Sequence, residues 1–550
     1  MCAFLLLRLD LADVEHWLQF SLSGSTITRM TITSSAQSGV DRPNQVDPLR
    51  PDIETIDPRT GDSLGFVADM TADDVARVLE RAQVAYQAWN GLSFAERRTH
   101  IYAVRDLLLD RAELLVDVIT AETGKLRAEA VFAELMTACE TIQYYGKTGE
   151  RSLAPQKVDV GLMSHKRALR SYEPLGVIGV ISPWNYPFIL AMTPVITALF
   201  AGNSVILKPS EVTPLVGVAI GDLFADVGGH PDLVQVVTGG GVTGEALVRS
   251  GVGKICFTGS VRTGKRVMAA AAETLTPVLL ELGGKDPMIV CADADLDRAA
   301  AGAVWGAFQN SGQTCMSVER VYVDKKVFDP FVEKVIERTA AIRQGVGAGD
   351  DIGSMTFAPQ LDIVERHLAD AEAKGATILI GGGRVPDRRG LWFEPTVLVD
   401  VDHSMQIMQD ETFGPVLPIM KVDDADHALR LANDSRYGLN SSVWTGDSAI
   451  GQALARGLEA GNVCVNDVIV SYAAPALPFG GVKESGIGRV HGPEGLREFS
   501  QVKSIMTDRL GLRREAWWFP LPKRLGTMGI RVMRLRHRRG LGRKLSALKP

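Results

Sequence analysis

Apolar residues recur three and four positions apart along the first globular part of the chain. This spacing predicts amphipathic helices at residues 73–89, 95–122 and 128–145. An uncharged stretch follows at residues 174–207, and its length alone would suit a membrane span. Glycine, proline and asparagine interrupt it repeatedly, so the stretch predicts a buried strand, a loop, a helix and a second buried strand instead.

Short apolar runs predict strands at residues 177–182, 204–207, 233–237 and 254–257, with helical segments between them. Near-continuous apolar strands are typical of parallel sheets that are covered on both faces. The alternation of strand and helix therefore predicts a doubly wound α/β domain. A second alternating set runs from about residue 287 to residue 479.

The 550 residues predict two to four domains. Residues 1–50 lack the basic start and long apolar centre of a signal peptide. We interpret them as a disordered or mis-assigned N-terminal extension, with Met30 as an alternative start. Six scattered cysteines form neither a CxxC pair nor a metal-ligand spacing, which predicts a reducing, cytoplasmic location and no metal site.

Charge is unevenly distributed along the chain. The net charge is -6, yet residues 513–550 carry twelve basic residues and one acidic residue, which leaves -17 on the rest. Such a basic tail predicts a partner of its own, and Trp517, Trp518 and Phe519 before an arginine-rich stretch are typical of an interfacial membrane anchor. This hypothesis places the protein on the inner face of the membrane, with no nucleic-acid partner. The alternatives are a solvated tail or one packed on a neighbouring subunit.

Two motifs follow predicted strands of the first set. PWNYP at residues 183–187 places Asn185 in a loop after a strand, where its uncharged amide suits an oxyanion that forms only during a reaction. FTGSVRTGK at residues 257–265 passes from a strand into a helix, so backbone N–H groups at the helix start can hold a pyrophosphate. Taken alone, the first motif is better explained by a turn asparagine, and the second is explained at least as well by a structural strand–helix turn.

Two further motifs carry reactive side chains. LELGGKDP at residues 280–287 puts Glu281 at the end of an apolar strand, where a partly buried carboxylate with a raised pKa can act as a general base. FQNSGQTC at residues 308–315 puts Cys315 after small polar residues, at the predicted start of a structured element, and this predicts a lowered thiol pKa. The structural alternatives are a paired glutamate and an inert buried cysteine.

In this order, and followed by ETFGPV at residues 411–416 and PFGGVKESGIGR at residues 478–489, the four motifs resemble the aldehyde dehydrogenase superfamily. The resemblance covers about residues 50–508. It implies an α/β fold that forms a homo-oligomer, a dimer or a tetramer. The implied parts are a Rossmann-like NAD-binding domain (51–152 and 173–283), an α/β catalytic domain (284–489), a small β oligomerisation bridge (153–172 and 490–508) and a basic aromatic tail (509–550).

The resemblance also implies a role for each matched residue. Cys315 matches the nucleophile, Glu281 matches the base that activates the hydrolytic water, and Asn185 matches the oxyanion donor. The implied cofactor is NAD+, with NADP+ as the alternative, because the carboxylate of Glu211 would repel a 2′-phosphate on the adenosine ribose. The residues implied to bind the cofactor are Ser182, Trp184, Lys208, Ser210, Glu211, Gly241, Gly259, Ser260, Gly264, Glu411 and Phe413.

The substrate pocket is predicted to be apolar. Relatives specific for succinate semialdehyde hold its carboxylate with arginines at two positions where this chain has Thr193 and Gln309, and a buried carboxylate without a cation is costly. Another position, which is a lysine in some relatives, is Pro194 here. We therefore predict a medium- or long-chain apolar or aromatic aldehyde, with succinate semialdehyde as the alternative. The predicted pocket residues are Tyr186, Leu190, Thr193, Gln309, Thr314 and Met316.

Two rival functions are considered. A relative that transfers its thioester to coenzyme A generally lacks a base at the position of Glu281, so hydrolysis to the free acid is favoured. A catalytically silent relative that only binds NAD is expected to lose the nucleophile. Cys315, Glu281 and Asn185 are all present, which favours an enzyme.

Overall fold

Strands and helices alternate along most of the chain. The computed structural model describes residues 52–540, so the predicted extension at residues 1–50 and the end of the tail lie outside the described residues. The strands are β1 (Asp52–Ile56), β2 (Ser63–Ala68), β3 (Gln156–Val158), β4 (Lys166–Pro174), β5 (Val177–Ile181), β6 (Ser204–Lys208), β7 (Val234–Val236), β8 (Lys254–Thr258), β9 (Val278–Glu281), β10 (Asp286–Val290), β11 (Val318–Asp324), β12 (Thr377–Ile380), β13 (Thr396–Val399), β14 (Val416–Val422), β15 (Ser442–Trp444), β16 (Cys464–Val465), β17 (Gly486–Ile487) and β18 (Ser500–Asp508).

The α-helices are α1 (Ala72–Asn90), α2 (Phe94–Asp110), α3 (Ala112–Thr123), α4 (Thr137–Leu153), α5 (Ile189–Ala201), α6 (Pro214–Val227), α7 (Gly241–Arg249), α8 (Val261–Ala272), α9 (Leu296–Phe308), α10 (Phe328–Ala340), α11 (Ala358–Ala373), α12 (Gln406–Gln409), α13 (Ala425–Asn433), α14 (Ser448–Gly457), α15 (Gly492–Glu498) and α16 (Leu525–His537). A short helical turn (Arg127–Glu129) and a π-helical segment (Ala130–Met136) lead into α4. No helix within residues 52–540 is long and apolar enough to cross a membrane.

The first sheet has six strands in the order β17-β9-β8-β5-β6-β7, and all neighbours except β17 and β9 run parallel. Strands β5 to β8 agree with the four predicted strands to within one residue at each end. Because β5 and β6 are buried almost throughout, their uninterrupted apolar runs were a reliable signal. The carboxyl ends of the parallel strands meet at one edge, where α/β folds bind ligands.

The second sheet has seven strands in the order β12-β13-β14-β11-β10-β15-β16, with β12 antiparallel at one edge. Its central strands are buried along their whole length. These two sheets with their covering helices confirm the predicted α/β class. The predicted helix at residues 95–122 is two helices, because the backbone of Arg111 (φ -102°, ψ 12°) ends α2 and starts α3 at a new angle.

A third, antiparallel sheet has the order β18-β4-β3. It lies largely within the predicted oligomerisation bridge, whose second segment also contains a helix. Residues 492–498 form α15, in which Pro493 stands at the start of the helix and Leu496 is buried. Strand β17, near the end of the predicted catalytic segment, pairs with β9 of the first sheet. The domain limits themselves stay a prediction.

Candidate active site

Cys315 lies between a short 3₁₀ turn (Gln309–Gly312) and the start of β11. Asn310 and Ser311 adopt left-handed backbone angles, with φ of 49° and 53°, which non-glycine residues rarely adopt and which cost energy. Gly312 follows at φ 72°, where a side chain would collide with the carbonyl of Gly414. The side-chain amide of Gln313 holds this turn, since its Nε2 donates to Asn310 O at 2.9 Å and its Oε1 accepts from Thr356 N at 2.8 Å.

The loop that carries Asn185 contacts the Cys315 loop directly. Asn185 is buried, and its Nδ2 donates to Gln313 O at 2.9 Å. An amide nitrogen has two N–H groups, so this bond orients Asn185 without exhausting its donors. Beside it, the hydroxyls of Tyr186 and Thr314 lie 3.0 Å apart. The two motifs, 128 residues apart in sequence, are thus joined in the fold.

The thiol pKa of Cys315 is raised, so the prediction of a lowered pKa is wrong. Burial is the largest cause, and the carboxylates of Glu411, Asp286 and Glu281 add negative potential. The turn before Cys315 also ends ahead of it, so no helix N-terminus stabilises a thiolate there. The side chain is partly buried, and ionising it in this setting requires removal of its proton as the reaction proceeds.

Glu281 is the last residue of β9 and is 7% exposed. Among the described residues, neither carboxylate oxygen has a hydrogen-bond partner. Burial raises the pKa of Glu281 well above its usual range, and Arg489 only partly opposes this. The raised pKa agrees with the sequence prediction. A buried carboxylate without a fixed partner is costly as a structural element but suits a base that must accept a proton.

Cys315 and Glu281 line the same cavity. The wall between them is almost wholly apolar, and no lysine or arginine lines it. Its other residues are Leu190, Thr193, Pro194, Cys256, Thr258, Leu282, Tyr472, Phe479 and Val490.

Of the predicted pocket residues, Leu190 and Thr193 lie on the wall of this cavity. The other four are placed beside it. Tyr186, Thr314 and Met316 are buried near the loop that carries Cys315, and Gln309 is half-buried where that loop leaves α9.

Several predicted cofactor residues gather at the carboxyl edge of the first sheet. Ser182 directly follows β5, and Lys208 is the last residue of β6. The hydroxyl of Ser182 is buried without a partner among the described residues. Lys208 Nζ lies 3.2 Å from the carboxylate of Glu211, which is half exposed. Ser210 is buried in the same turn.

Two helices start at this edge. Ser260 is the N-cap of α8, its Oγ accepting from Thr263 N at 3.3 Å, and Gly241 is the first residue of α7. The backbone N–H of Gly259 donates to Glu281 O at 3.0 Å, and Gly264 packs against Leu282 without room for a side chain. Free N–H groups at such helix starts are suited to phosphate.

Glu411 is held by a backbone hydrogen bond, and Phe413 is held by a buried ion pair that the sequence did not indicate. Glu411 accepts from Gly284 N at 3.0 Å, and burial raises its pKa to about 8. Glu319 pairs with Lys285 and accepts from the backbone N–H of Phe413 at 2.8 Å. Phe413 therefore keeps a left-handed backbone (φ 52°), and its ring meets Trp184 edge-on at 5.4 Å.

Residues 46–505 match the family model described as the aldehyde dehydrogenase family. The chain belongs to this family. It is 42% identical to the 4,4'-diapolycopene aldehyde oxidase of Methylomonas sp over 85% of this chain and 88% of that one. It is 39% identical to a putative NADP+ succinate-semialdehyde dehydrogenase of Mycolicibacterium smegmatis, over 82% and 88% of the two chains.

Solved structures of aldehyde dehydrogenases share the fold. The enzyme of Mycobacterium tuberculosis complexed with NAD+ superposes with a TM-score of 0.80 at 34% identity, covering 84% of this chain and 96% of that one. The betaine aldehyde dehydrogenase of Staphylococcus aureus in complex with NAD+ superposes with a TM-score of 0.81 at 32% identity, covering 85% of this chain and 94% of that one.

The residues at the sheet edge of this aldehyde dehydrogenase fit a nicotinamide dinucleotide. The unpartnered Ser182 hydroxyl and the two helix starts supply polar contacts, and the Glu411 carboxylate lies at the active-site end. The sequence reasoning missed Tyr472, Phe479 and Val490 on the cavity wall. Phe479 and Val490 lie in or next to PFGGVKESGIGR, so their position was signalled, whereas Tyr472 stands in an irregular segment without any pattern.

Proposed function

We propose that this aldehyde dehydrogenase uses NAD+ to oxidise an apolar aldehyde, of medium or long chain or aromatic, to its carboxylic acid. The observation that carries the substrate class is the cavity wall, which contains Cys315 and no lysine or arginine. A relative in Mycolicibacterium smegmatis is named for succinate semialdehyde. In the cavity of this chain, the carboxylate of that substrate would be buried without a cationic partner. Succinate semialdehyde remains the alternative substrate.

The proposed reaction begins with attack of the Cys315 sulfur on the aldehyde carbon, while the thiol proton leaves to a base or to water. The amide of Asn185 and the Cys315 backbone N–H stabilise the oxyanion of the thiohemiacetal. When bound, the dinucleotide supplies a hydride acceptor. Loss of hydride leaves a thioester on Cys315, and Glu281 takes a proton from the water that hydrolyses it. The acid departs and the thiol is restored.

Initial rates of NADH formation with succinate semialdehyde, hexanal, decanal, hexadecanal and benzaldehyde test the substrate class. We expect kcat/KM to rise with chain length by up to about fourfold per methylene, as long as each methylene is buried at about 0.8 kcal/mol. Leu190→Arg should shift the preference towards succinate semialdehyde, because it brings a cation to the cavity wall. A large preference of the unaltered enzyme for succinate semialdehyde would contradict the proposal.

The choice of NAD+ over NADP+ rests on Glu211. Its carboxylate lies at the sheet edge beside Lys208, where it would face the adenosine ribose and repel a 2′-phosphate. Complexes of related enzymes with NAD+ support this choice, whereas some relatives are named for NADP+. The ratio of kcat/KM with the two cofactors measures it, and Glu211→Gln should move the ratio towards NADP+.

We also propose that the third sheet mediates a homo-oligomer, a dimer or a tetramer. Strand β18 is exposed from Gln501 to Asp508 and presents Val502, Ile505 and Met506 to solvent. An exposed apolar strand of this length invites pairing or packing with another chain. Sedimentation velocity would show a monomer if this proposal is wrong.

The tail is proposed to bind an anionic membrane surface. Glu515, its one acidic residue, is buried and pairs with Lys166, with His165 3.4 Å away, so the tail's outward side is basic. Trp517, Trp518 and Phe519 are exposed next to it, as are Met528, Ile530, Val532 and Met533 of α16. Aromatic and basic residues together suit the membrane interface, and the basic tail complements anionic lipid although the rest of the chain is acidic.

Flotation with vesicles of neutral or anionic lipid at low salt tests the tail. We expect the full chain to float with anionic vesicles only, and a chain that ends at Leu512 to stay at the bottom. A full-length variant with serine at Trp517, Trp518 and Phe519 keeps all the charges and should bind more weakly. Equal behaviour of the full and truncated chains would favour a solvated tail or one packed on a neighbouring subunit.

A further inference from the structure

We infer that Lys125, Glu129 and Glu134, here called the Lys125 cluster, are positioning residues. They fix the loop that carries Asn185, here called the oxyanion loop, relative to the loop that carries Cys315, here called the nucleophile loop. The inference rests on the proposed roles of Asn185 and Cys315. None of the three residues lines the cavity of the active site. Each acts through the backbone of a loop that carries a reacting group.

Lys125 and Glu134 form a fully buried ion pair. Their side chains are 0% exposed, and Nζ lies 2.5 Å from Oε1. Lys125 follows the left-handed Gly124 that ends α3, whereas Glu134 stands in the π-helical segment before α4. Burying two charges is costly, and a buried pair often adds no stability over apolar residues of the same shape. Its value must therefore be sought in what else it contacts.

Both members of the pair contact the loop of Asn185. Lys125 Nζ donates to the carbonyl oxygen of Asn185 at 2.8 Å and stands 4.0 Å from the centre of the Tyr186 ring. Glu134 Oε2 accepts from Phe188 N at 2.8 Å and from Ile189 N at 3.3 Å. The pair thus fixes both ends of the loop between Asn185 and α5. Lys125 holds the carbonyl of Asn185 at one end, and Glu134 holds the backbone at the start of α5 at the other.

Glu129 performs the same task for the nucleophile loop. Its carboxylate accepts from Asn310 N at 2.6 Å and from Leu126 N at 2.9 Å. Asn310 is the first of the left-handed residues before Cys315, so this bond helps to hold a strained backbone. Burial raises the pKa of Glu129, while those two backbone bonds and Lys125 lower it.

The two halves of the cluster meet at one atom. The carbonyl oxygen of Asn185 accepts from Lys125 Nζ and, at 3.1 Å, from Nδ2 of Asn310. Because Glu129 holds Asn310 and Glu134 holds Lys125, a single short helical segment sets the distance between the oxyanion donor and the nucleophile. Displacement of a reacting group by about 1 Å can cost on the order of 10²-fold in rate.

The experiment compares Lys125→Met, Glu134→Gln and the double variant Lys125→Met/Glu134→Gln in the full chain, with decanal and saturating NAD+. Each single variant leaves one buried charge unpaired, so we expect a lower melting temperature. The double variant removes both charges with little change of shape, so its melting temperature should recover. The rate of the first NADH turnover should stay lowered by about 10²-fold in the double variant, because Asn185 and Tyr186 have lost Lys125. The dissociation constant for NAD+ should change little.

Glu122→Gln is the matched control. Glu122 is also a buried carboxylate that caps a helix, accepting from Leu215 N and Val216 N at the start of α6, but it contacts neither loop. Its variant should lose stability and keep the first-turnover rate at saturating NAD+. The inference is overturned if the double variant regains the normal rate together with its stability. Failure of the unaltered enzyme to form NADH would instead overturn the proposed function.

Discussion

Cys315→Ala is expected to lower NADH formation with every aldehyde by roughly 10³-fold or more, because it removes the sulfur on which the thioester is proposed to form. The fold should be unaffected, since alanine removes a partly buried sulfur and leaves the turn held by Gln313 in place. Steady-state NADH fluorescence measures the loss, and a melting curve checks the fold.

Cys139→Ala is the matched control, since Cys139 is partly buried on α4, away from the cavity. It should keep its activity. Normal turnover by Cys315→Ala would mean that the aldehyde is oxidised without this nucleophile, and the proposed mechanism would fail at its first step.

Glu281→Gln should separate the two halves of the reaction. The first NADH forms together with the thioester on Cys315, before water is needed, so we expect a burst of one NADH per active site. Hydrolysis of the thioester then loses its base, and steady turnover should fall by about 10²–10⁴-fold. Stopped-flow fluorescence resolves burst and steady state. A loss of burst and turnover in equal measure would show that Glu281 acts before the thioester forms.

The pH dependence follows from the same residue. A general base acts as the carboxylate, and burial raises the pKa of Glu281, so only a fraction is ionised at low pH. The rate of steady turnover should therefore keep rising until the pH is well above the usual pKa range of a glutamate, and this rise should vanish in Glu281→Gln. The raised thiol pKa of Cys315 affects the pH dependence of the burst instead, so the pH profiles of the burst and of steady turnover can be measured separately.

The parts of the fold that follow from local patterns were predictable. Strands β5 and β6 are buried on both faces, so their apolar runs mark them directly, and the motifs around Asn185, Glu281 and Cys315 carry chemistry in short segments. The predictions for the pKa values of Glu281 and Cys315 had different outcomes. The raised pKa of Glu281 needed only a buried strand end, whereas the raised pKa of Cys315 depends on its burial and on Glu411 and Asp286, which approach it only in the tertiary fold.

Other features could not be read from one sequence. Lys125 and Glu134 are nine residues apart, and nothing in their segment shows that both are buried and contact the loop of Asn185. Tyr472 reaches the cavity from a 3₁₀ turn, whose side chains follow no long-range period. Helix α15 lies within the predicted bridge without having been predicted as a helix, and it is held by burial of Leu496 and by the hydrogen bond from Tyr145 to Gly492.

The central claim is that hydride loss leaves an acyl group on the sulfur of Cys315. Its most direct test is mass spectrometry of the Glu281→Gln enzyme, mixed with NAD+ and decanal and quenched in acid after the burst. The account predicts a ten-carbon acyl group on the peptide that contains Cys315, in proportion to the NADH formed. An acyl group on Cys256, the other cysteine of the cavity wall, or NADH without any adduct, would contradict it.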